Sequence, residues 1–205
     1  MIKREFYLNQ IIRHMHNGEI KVITGIRRCG KSVLLFELFR DHLLELGVPE
    51  DQIITIELDQ RKHYKFRNPI TLCEYVESIV TSDKNKQFYL FIDEVQFTKK
   101  VKDTENDDIE VSIYDMLNEL KSHKNLDVYV TGSNSKMLSS DIATEFRGRA
   151  TQIRVYPFSF GEFYSYVGGD ERKALDQYML YGGMPRILQM TDNQDKKNYL
   201  SNLYS

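Results

Sequence analysis

Two short groups of residues in this chain combine types and spacing that can do chemistry. The first is Gly25-Ile26-Arg27-Arg28-Cys29-Gly30-Lys31-Ser32, a G-x-x-x-x-G-K-[ST] run. Its glycines let the backbone bend so that successive N–H groups face one centre, which suits a phosphate. Lys31 adds an ammonium for β- and γ-phosphates, and Ser32 adds a hydroxyl for Mg²⁺. The second is Asp93-Glu94, which follows the apolar run Phe88-Tyr89-Leu90-Phe91-Ile92. A carboxylate at the end of a buried strand is costly unless a cation meets it. Mg²⁺ held between Ser32 and Asp93 answers that need, and Glu94 then stands where a water must be oriented or deprotonated for in-line attack.

The flanking elements decide whether these groups meet. Ile20-Lys21-Val22-Ile23-Thr24 reads as a buried strand, and Val33-Leu34-Leu35-Phe36 opens an apolar helix whose positive N-terminal end strengthens the anion site. That helix is expected to run to about Leu46 and stop at Gly47. Further strands are expected at Ile53-Ile54-Thr55-Ile56, Phe88 to Ile92, Asp127 to Thr131 and Gln152 to Val155. Helices are expected at the apolar spacings of Leu8, Ile11, Ile12 and Met15, of Leu72, Tyr75, Val76 and Ile79, and of Ile113, Met116, Leu117 and Leu120. Asp59 to Asn68 reads as a loop, and the charged stretch from Lys99 to Glu110 as a solvent-exposed insertion. Strands alternating with helices imply a parallel, right-handed α/β sheet. From Pro157 the pattern is helical only, broken at Gly168-Gly169 and Gly182-Gly183.

Three further groups have two readings each. Ser133 and Asn134 either hydrogen-bond the γ-phosphate or its water, or simply form a turn. Arg147 and Arg149 either stabilise charge on a transferring phosphoryl group, more naturally a neighbouring subunit's than their own, or form a solvated surface pair. Arg27 and Arg28 either touch phosphate or face outward. Arg4 to Leu8 would border a nucleotide base or merely pack, and the aromatic residues Phe158, Phe160, Phe163, Tyr164 and Tyr166 read as a seam between the sheet core and the helical end.

Composition narrows the class. The chain has 205 residues, 41% hydrophobic and 28% charged, with a formal net charge of −2. There is no global basic field for nucleic acid, and the basic run Lys99-Lys100-Val101-Lys102 is cancelled by the acidic residues that follow. The two cysteines, Cys29 and Cys73, match no metal spacing and read as free thiols. No apolar run is long enough to span a membrane and no secretory pattern is present, so a cytoplasmic protein is expected.

The P-loop with paired arginines, Ile92-Asp93-Glu94-Val95-Gln96, Val130-Thr131-Gly132-Ser133-Asn134-Ser135, Phe146-Arg147-Gly148-Arg149, Pro157-Phe158-Ser159-Phe160-Gly161-Glu162-Phe163 and Tyr181-Gly182-Gly183-Met184-Pro185 together resemble the prokaryotic predicted ATPases of the AAA+ superfamily that carry a poorly characterised C-terminal domain. The resemblance implies a P-loop NTPase core over residues 1–156 with parallel strand order 5-1-4-3-2, then a helical lid over 157–205, with the chain being the N-terminal part of a longer protein. It implies ATP and Mg²⁺ as cofactors and a nucleotide site built from Gly25, Ile26, Arg27, Arg28, Cys29, Gly30, Lys31, Ser32 and Val33. Ser32 and Asp93 would be the metal ligands and Glu94 the base, with Ser133 or Asn134 as first sensor and Arg149 or Arg147 as the finger. Arg186 is the residue nearest the place of a second, lid-borne sensor arginine. The expected function is Mg²⁺-dependent ATP hydrolysis coupled to a partner or a C-terminal domain, in a homo-oligomer. The alternative is a nucleotide-gated switch with little hydrolysis of its own. A phosphotransferase is disfavoured because no acceptor-pocket pattern is present.

Overall fold

The computed structural model describes residues 2–103, 106, 108–133, 146 and 148–204. Five strands form one parallel sheet: β1 (Ile20–Thr24), β2 (Ile53–Glu57), β3 (Phe88–Asp93), β6 (Leu126–Gly132) and β7 (Ala150–Arg154), with β4 (Val101–Lys102) and β5 (Glu110–Val111) set apart as a short antiparallel ribbon. The sheet order is β2-β3-β6-β1-β7. Counting only the sheet strands, this is the expected 5-1-4-3-2. The Thr24 end of β1 and the Asp93 end of β3 therefore lie on one sheet edge, with β6 between them.

Both sheet faces are covered, so the strands read as continuous apolar runs rather than alternating ones. One face carries Val22, Ile56, Ile92, Val128 and Val130 against α3 (Pro69–Val80) and α4 (Ile113–Leu120). The other carries Ile23, Phe91, Tyr129 and Ile153 against α1 (Glu5–Arg13) and the helix that follows the P-loop. That helix, α2, spans residues 31–45 in three abutting pieces, the middle one, Leu34–Phe39, wound as a π-helix. Gly47, at φ 84°, follows its end as expected.

Two expectations need correction. Asp59 to Asn68 is not a plain loop: Arg61–Arg67 is a 3₁₀ helix, held by the buried Phe66 and by Arg67 Nε donating to the Leu58 carbonyl at 2.8 Å. The local polarity concealed that single apolar anchor. The aromatic group after Pro157 is also not mainly a seam. Helices α5 (Phe160–Val167) and α6 (Glu171–Tyr181) form a hairpin in which Phe160 and Phe163 both pack on Tyr178 and Phe160 stacks on Tyr164. Tyr166 is exposed. Phe158 lies against the N-terminal segment, under the Arg4 guanidinium at 5.0 Å, and Tyr166 lines a cavity bordered by that segment.

The helical end continues through a 3₁₀ turn, Pro185–Gln189, to α7 (Asn193–Tyr204). Gly183 fixes how this end returns to the core. Phe158 N donates to Gly183 O at 2.7 Å, and a Cβ at position 183 would lie 1.9 Å from the Phe158 carbonyl oxygen. Among the described residues no helix is long and apolar enough to cross a membrane.

Candidate nucleotide-binding site

The loop after β1 is shaped by backbone demands that the sequence pattern meets. A Cβ on Gly25 would fall 2.2 Å from the Val155 carbonyl oxygen, so only glycine allows the loop to cross the end of β7 there. Gly30 has φ 99° and Arg28 has φ 68°, left-handed turns that bring the chain round to the start of α2. Lys31 is buried, with Nζ donating to the carbonyls of Gly25 and Ile26, each at 3.2 Å. Its ammonium thus sits inside the loop. Ile26, Arg27, Arg28 and Val33 are exposed, which leaves the outward reading for Arg27. Arg28 reaches the ring of Tyr199 at 5.7 Å. Cys29 is buried behind the loop with its thiol near the Val155 carbonyl, and burial pushes that thiol upward.

Arg4 braces the loop from behind, a role that sequence reading did not assign. Its guanidinium donates to Cys29 O at 2.9 Å, Tyr156 O at 2.7 Å and Glu162 Oε1 at 3.1 Å, tying the P-loop to the strand exit and to α5. Nothing in the sequence marks it, because its partners lie 25 to 158 residues away.

The β3 end supplies the carboxylates. Ser32 Oγ donates to Asp93 Oδ2 at 2.8 Å, and the Thr131 hydroxyl donates to Oδ1. Burial pushes the Asp93 carboxyl above its ordinary range, opposed by those two hydrogen bonds and assisted by the neighbouring Glu94 and Asp59. A buried acid beside a serine hydroxyl, with hard oxygen donors only, fits Mg²⁺. Glu94 adopts φ 55°, ψ 51°, a left-handed conformation uncommon for a residue with a side chain and characteristic of functional sites. Its N–H donates to Thr131 Oγ1 at 3.1 Å, and its Oε2 accepts from Ser133 Oγ at 2.6 Å and from the Gln96 amide. Thr131 and Gln96 belong to quoted motifs, yet their roles were not read from them.

These groups share a cavity of about 590 Å³ lined by Arg28, Lys31, Ser32 and Glu94 on the core side and by Arg186 and Tyr199 on the helical side. A larger cavity, about 700 Å³, lies beyond Arg4 between the N-terminal segment and α5, and contains no P-loop residue. The P-loop residues line only the smaller of these two. Ser133 joins the site through Glu94; Asn134 and Arg147 lie outside the described residues. Arg149 does not join it. It is exposed where β7 begins, its carbonyl accepting from Ile20 N at 3.2 Å, whereas the P-loop leaves the opposite end of β1. Five residues of strand separate those ends by about 16 Å.

A parallel sheet of this order with a phosphate loop after its first strand and paired carboxylates after its third defines a P-loop NTPase of the AAA+ kind. A family model described as AAA domain matches residues 17–164, and the chain belongs to that family. An uncharacterized protein of Haemophilus influenzae is 32% identical over 209 residues, covering 100% of this chain and 48% of its own length. An uncharacterized protein of Methanocaldococcus jannaschii is 29% identical over 199 residues, covering 89% of this chain and 39% of that protein. The chain thus spans half or less of these relatives. Among solved structures, C. elegans PCH-2 superposes with a TM-score of 0.51 at 14% identity, over 94% of this chain and 47% of that one, a likeness of fold. The protein is a nucleotide-binding AAA+ module.

Proposed function

We propose that this protein binds Mg²⁺-ATP and hydrolyses it, coupling the reaction to movement of a partner or of a C-terminal domain. The observation that carries the reading is the 2.8 Å hydrogen bond from Ser32 to Asp93, between residues of different motifs 61 positions apart. Ser32 and Asp93 would hold Mg²⁺, which when bound offsets charge on the β- and γ-phosphate oxygens. Lys31 releases the carbonyls of Gly25 and Ile26 to meet the phosphates, and the loop amides receive the remaining oxygens. Glu94, held by Ser133, orients the attacking water and takes its proton. Arg186 and Tyr199 cover the nucleotide from the helical side, Arg186 serving as the lid's cation, with residues 157–205 acting as the lid of a core that spans 1–156.

The position of Arg149 favours a slow reaction in a single subunit. Standing at the opposite end of the sheet from its own P-loop, it serves as a finger only on a neighbour's nucleotide, with Arg147 as the other candidate. In that setting the isolated chain behaves as a nucleotide-gated switch and turns over when assembled, with the cytoplasm as its working compartment.

The test is calorimetry with Mg²⁺-ATP together with phosphate release at rising protein concentration. Lys31→Ala is expected to lose binding, and Glu94→Gln to keep binding and fall to a slow residual rate that single-turnover measurement still reads. Equal phosphate release from all three proteins removes the hydrolytic reading. Tight binding without turnover at any concentration leaves the switch.

A further inference from the structure

Gln96 lies in the 3₁₀ turn Val95–Phe97, just past the carboxylate pair, and its amide is placed in an unusual way. Nε2 donates to Glu94 Oε2 and, at 3.0 Å, to Ser133 Oγ, while Ser133 Oγ itself donates to the same Glu94 oxygen. The three side chains form a closed triangle around one carboxylate oxygen. Glu94 Oε1 is left without a donor among the described residues, on a side chain that lines the nucleotide cavity. The amide cannot be turned over, because its carbonyl would then face the Glu94 carboxylate. In the orientation it must take, Gln96 Oε1 is buried and has no hydrogen-bond partner among the described residues. A buried acceptor without a donor is destabilising, so a side chain kept only for packing would be better as an apolar one.

We propose that Gln96 is a positioning residue for the reaction: together with Ser133 it pins Glu94 Oε2, so that the opposite oxygen is presented to the attacking water. The inference rests on the hydrolytic reading above and adds to it the group that holds the base. The backbone of Glu94 supports the same view. Its conformation is left-handed, and Thr131 fixes the N–H while Gln96 and Ser133 fix the carboxylate. Neither clamp involves P-loop residues, so Glu94 is set before nucleotide arrives, as pre-organised catalytic groups are.

The test compares Gln96→Leu and the near-isosteric Gln96→Met with wild type, alone and in a Glu94→Gln background. Single-turnover phosphate release, Mg²⁺-ATP affinity by calorimetry, and thermal unfolding are measured on each. Losing a hydrogen bond to a charged group predicts a fall in the hydrolysis rate of about 10- to 100-fold. Affinity should stay within about 2-fold, because Gln96 hydrogen-bonds neither the P-loop residues nor Ser32 and Asp93, which would hold the metal. The melting temperature should match or exceed wild type, since the orphaned carbonyl is gone. In the Glu94→Gln background the further loss should vanish, because Gln96 acts through Glu94. Wild-type rates in both Gln96 variants, or the same fold loss with and without Glu94, overturn the proposal while leaving hydrolysis intact. Absence of turnover in wild type under every condition overturns hydrolysis and this proposal together.

Discussion

The sheet carries a second charged constellation, at the edge away from the P-loop, and its removal should separate stability from nucleotide binding. Lys21 is fully buried in β1, its ammonium paired with Asp127 in β6, donating to Glu19 O at 2.9 Å and lying 4.7 Å from the Tyr129 ring centre. Asp127 also accepts from Tyr129 Oη at 2.6 Å and from His16 N at 3.0 Å. Burial pulls the Lys21 ammonium below its ordinary range, with Asp127 opposing that pull. Lys21→Met preserves the volume and leaves Asp127 buried without its cation. Stranding one partner of a buried pair costs about 3–5 kcal/mol. For a chain of this size each kcal/mol lowers Tm by about 2–4 °C, so a fall of roughly 6–20 °C is expected. Lys21→Met/Asp127→Asn removes the stranded charge and should recover most of that loss, because a neutral polar pair is far cheaper to bury. Both variants should bind Mg²⁺-ATP as wild type does below their melting temperatures, since Lys21 and Asp127 stand near the strand starts. Thermal denaturation followed by circular dichroism gives the first quantity and calorimetry the second. A Tm within about 2 °C of wild type for the single variant would refute the energetic argument. A matching loss of nucleotide affinity would refute the separation of the two sheet edges.

Gly183→Ala forces a Cβ to within 1.9 Å of the Phe158 carbonyl, so the helical end must part from the strand exit. Faster tryptic cleavage after Lys197 and weaker Mg²⁺-ATP binding are expected, whereas Gly161→Ala, with no atom nearer than 4.0 Å, should change neither. Burial, helped by Glu77, Glu119 and Glu74, pushes the Cys73 thiol up to about 12. The folded chain then keeps a proton that the unfolded chain gives up above its ordinary value of 9.0, so this stability is complete below pH 9 and declines as pH rises toward 12. Melting curves across that range should show a shallower alkaline decline for Cys73→Ala, and an unchanged slope would contradict the burial argument.

Much of the site was legible from the sequence because its chemistry is local. Gly25 to Ser32 must occupy consecutive positions for their amides to converge on one anion, and Asp93-Glu94 must end an apolar strand, so spacing alone exposes both. The strand order was also available, through the resemblance of several motifs in the right order. Arg4, Gln96 and Tyr199 were not assigned their places, since each acquires meaning only from contacts across the fold. Arg4 braces Cys29 and Glu162 from before the first helix, and Tyr199 meets Arg28 from the last one. Gln96 stands two residues from Glu94, yet its role depends on Ser133, brought alongside by β6 pairing with β3. Arg149 shows the same division from the other side: its type suggested a finger, and the parallel direction of β7 decided that it stands at the opposite end of the sheet from its own P-loop. The sequence by itself determined where the candidate phosphate loop lies, because a backbone loop and its lysine are contiguous. Which side chains aim, brace and cover that site was decided only by the tertiary structure, because hydrogen bonds and packing act through space between residues that the chain keeps far apart.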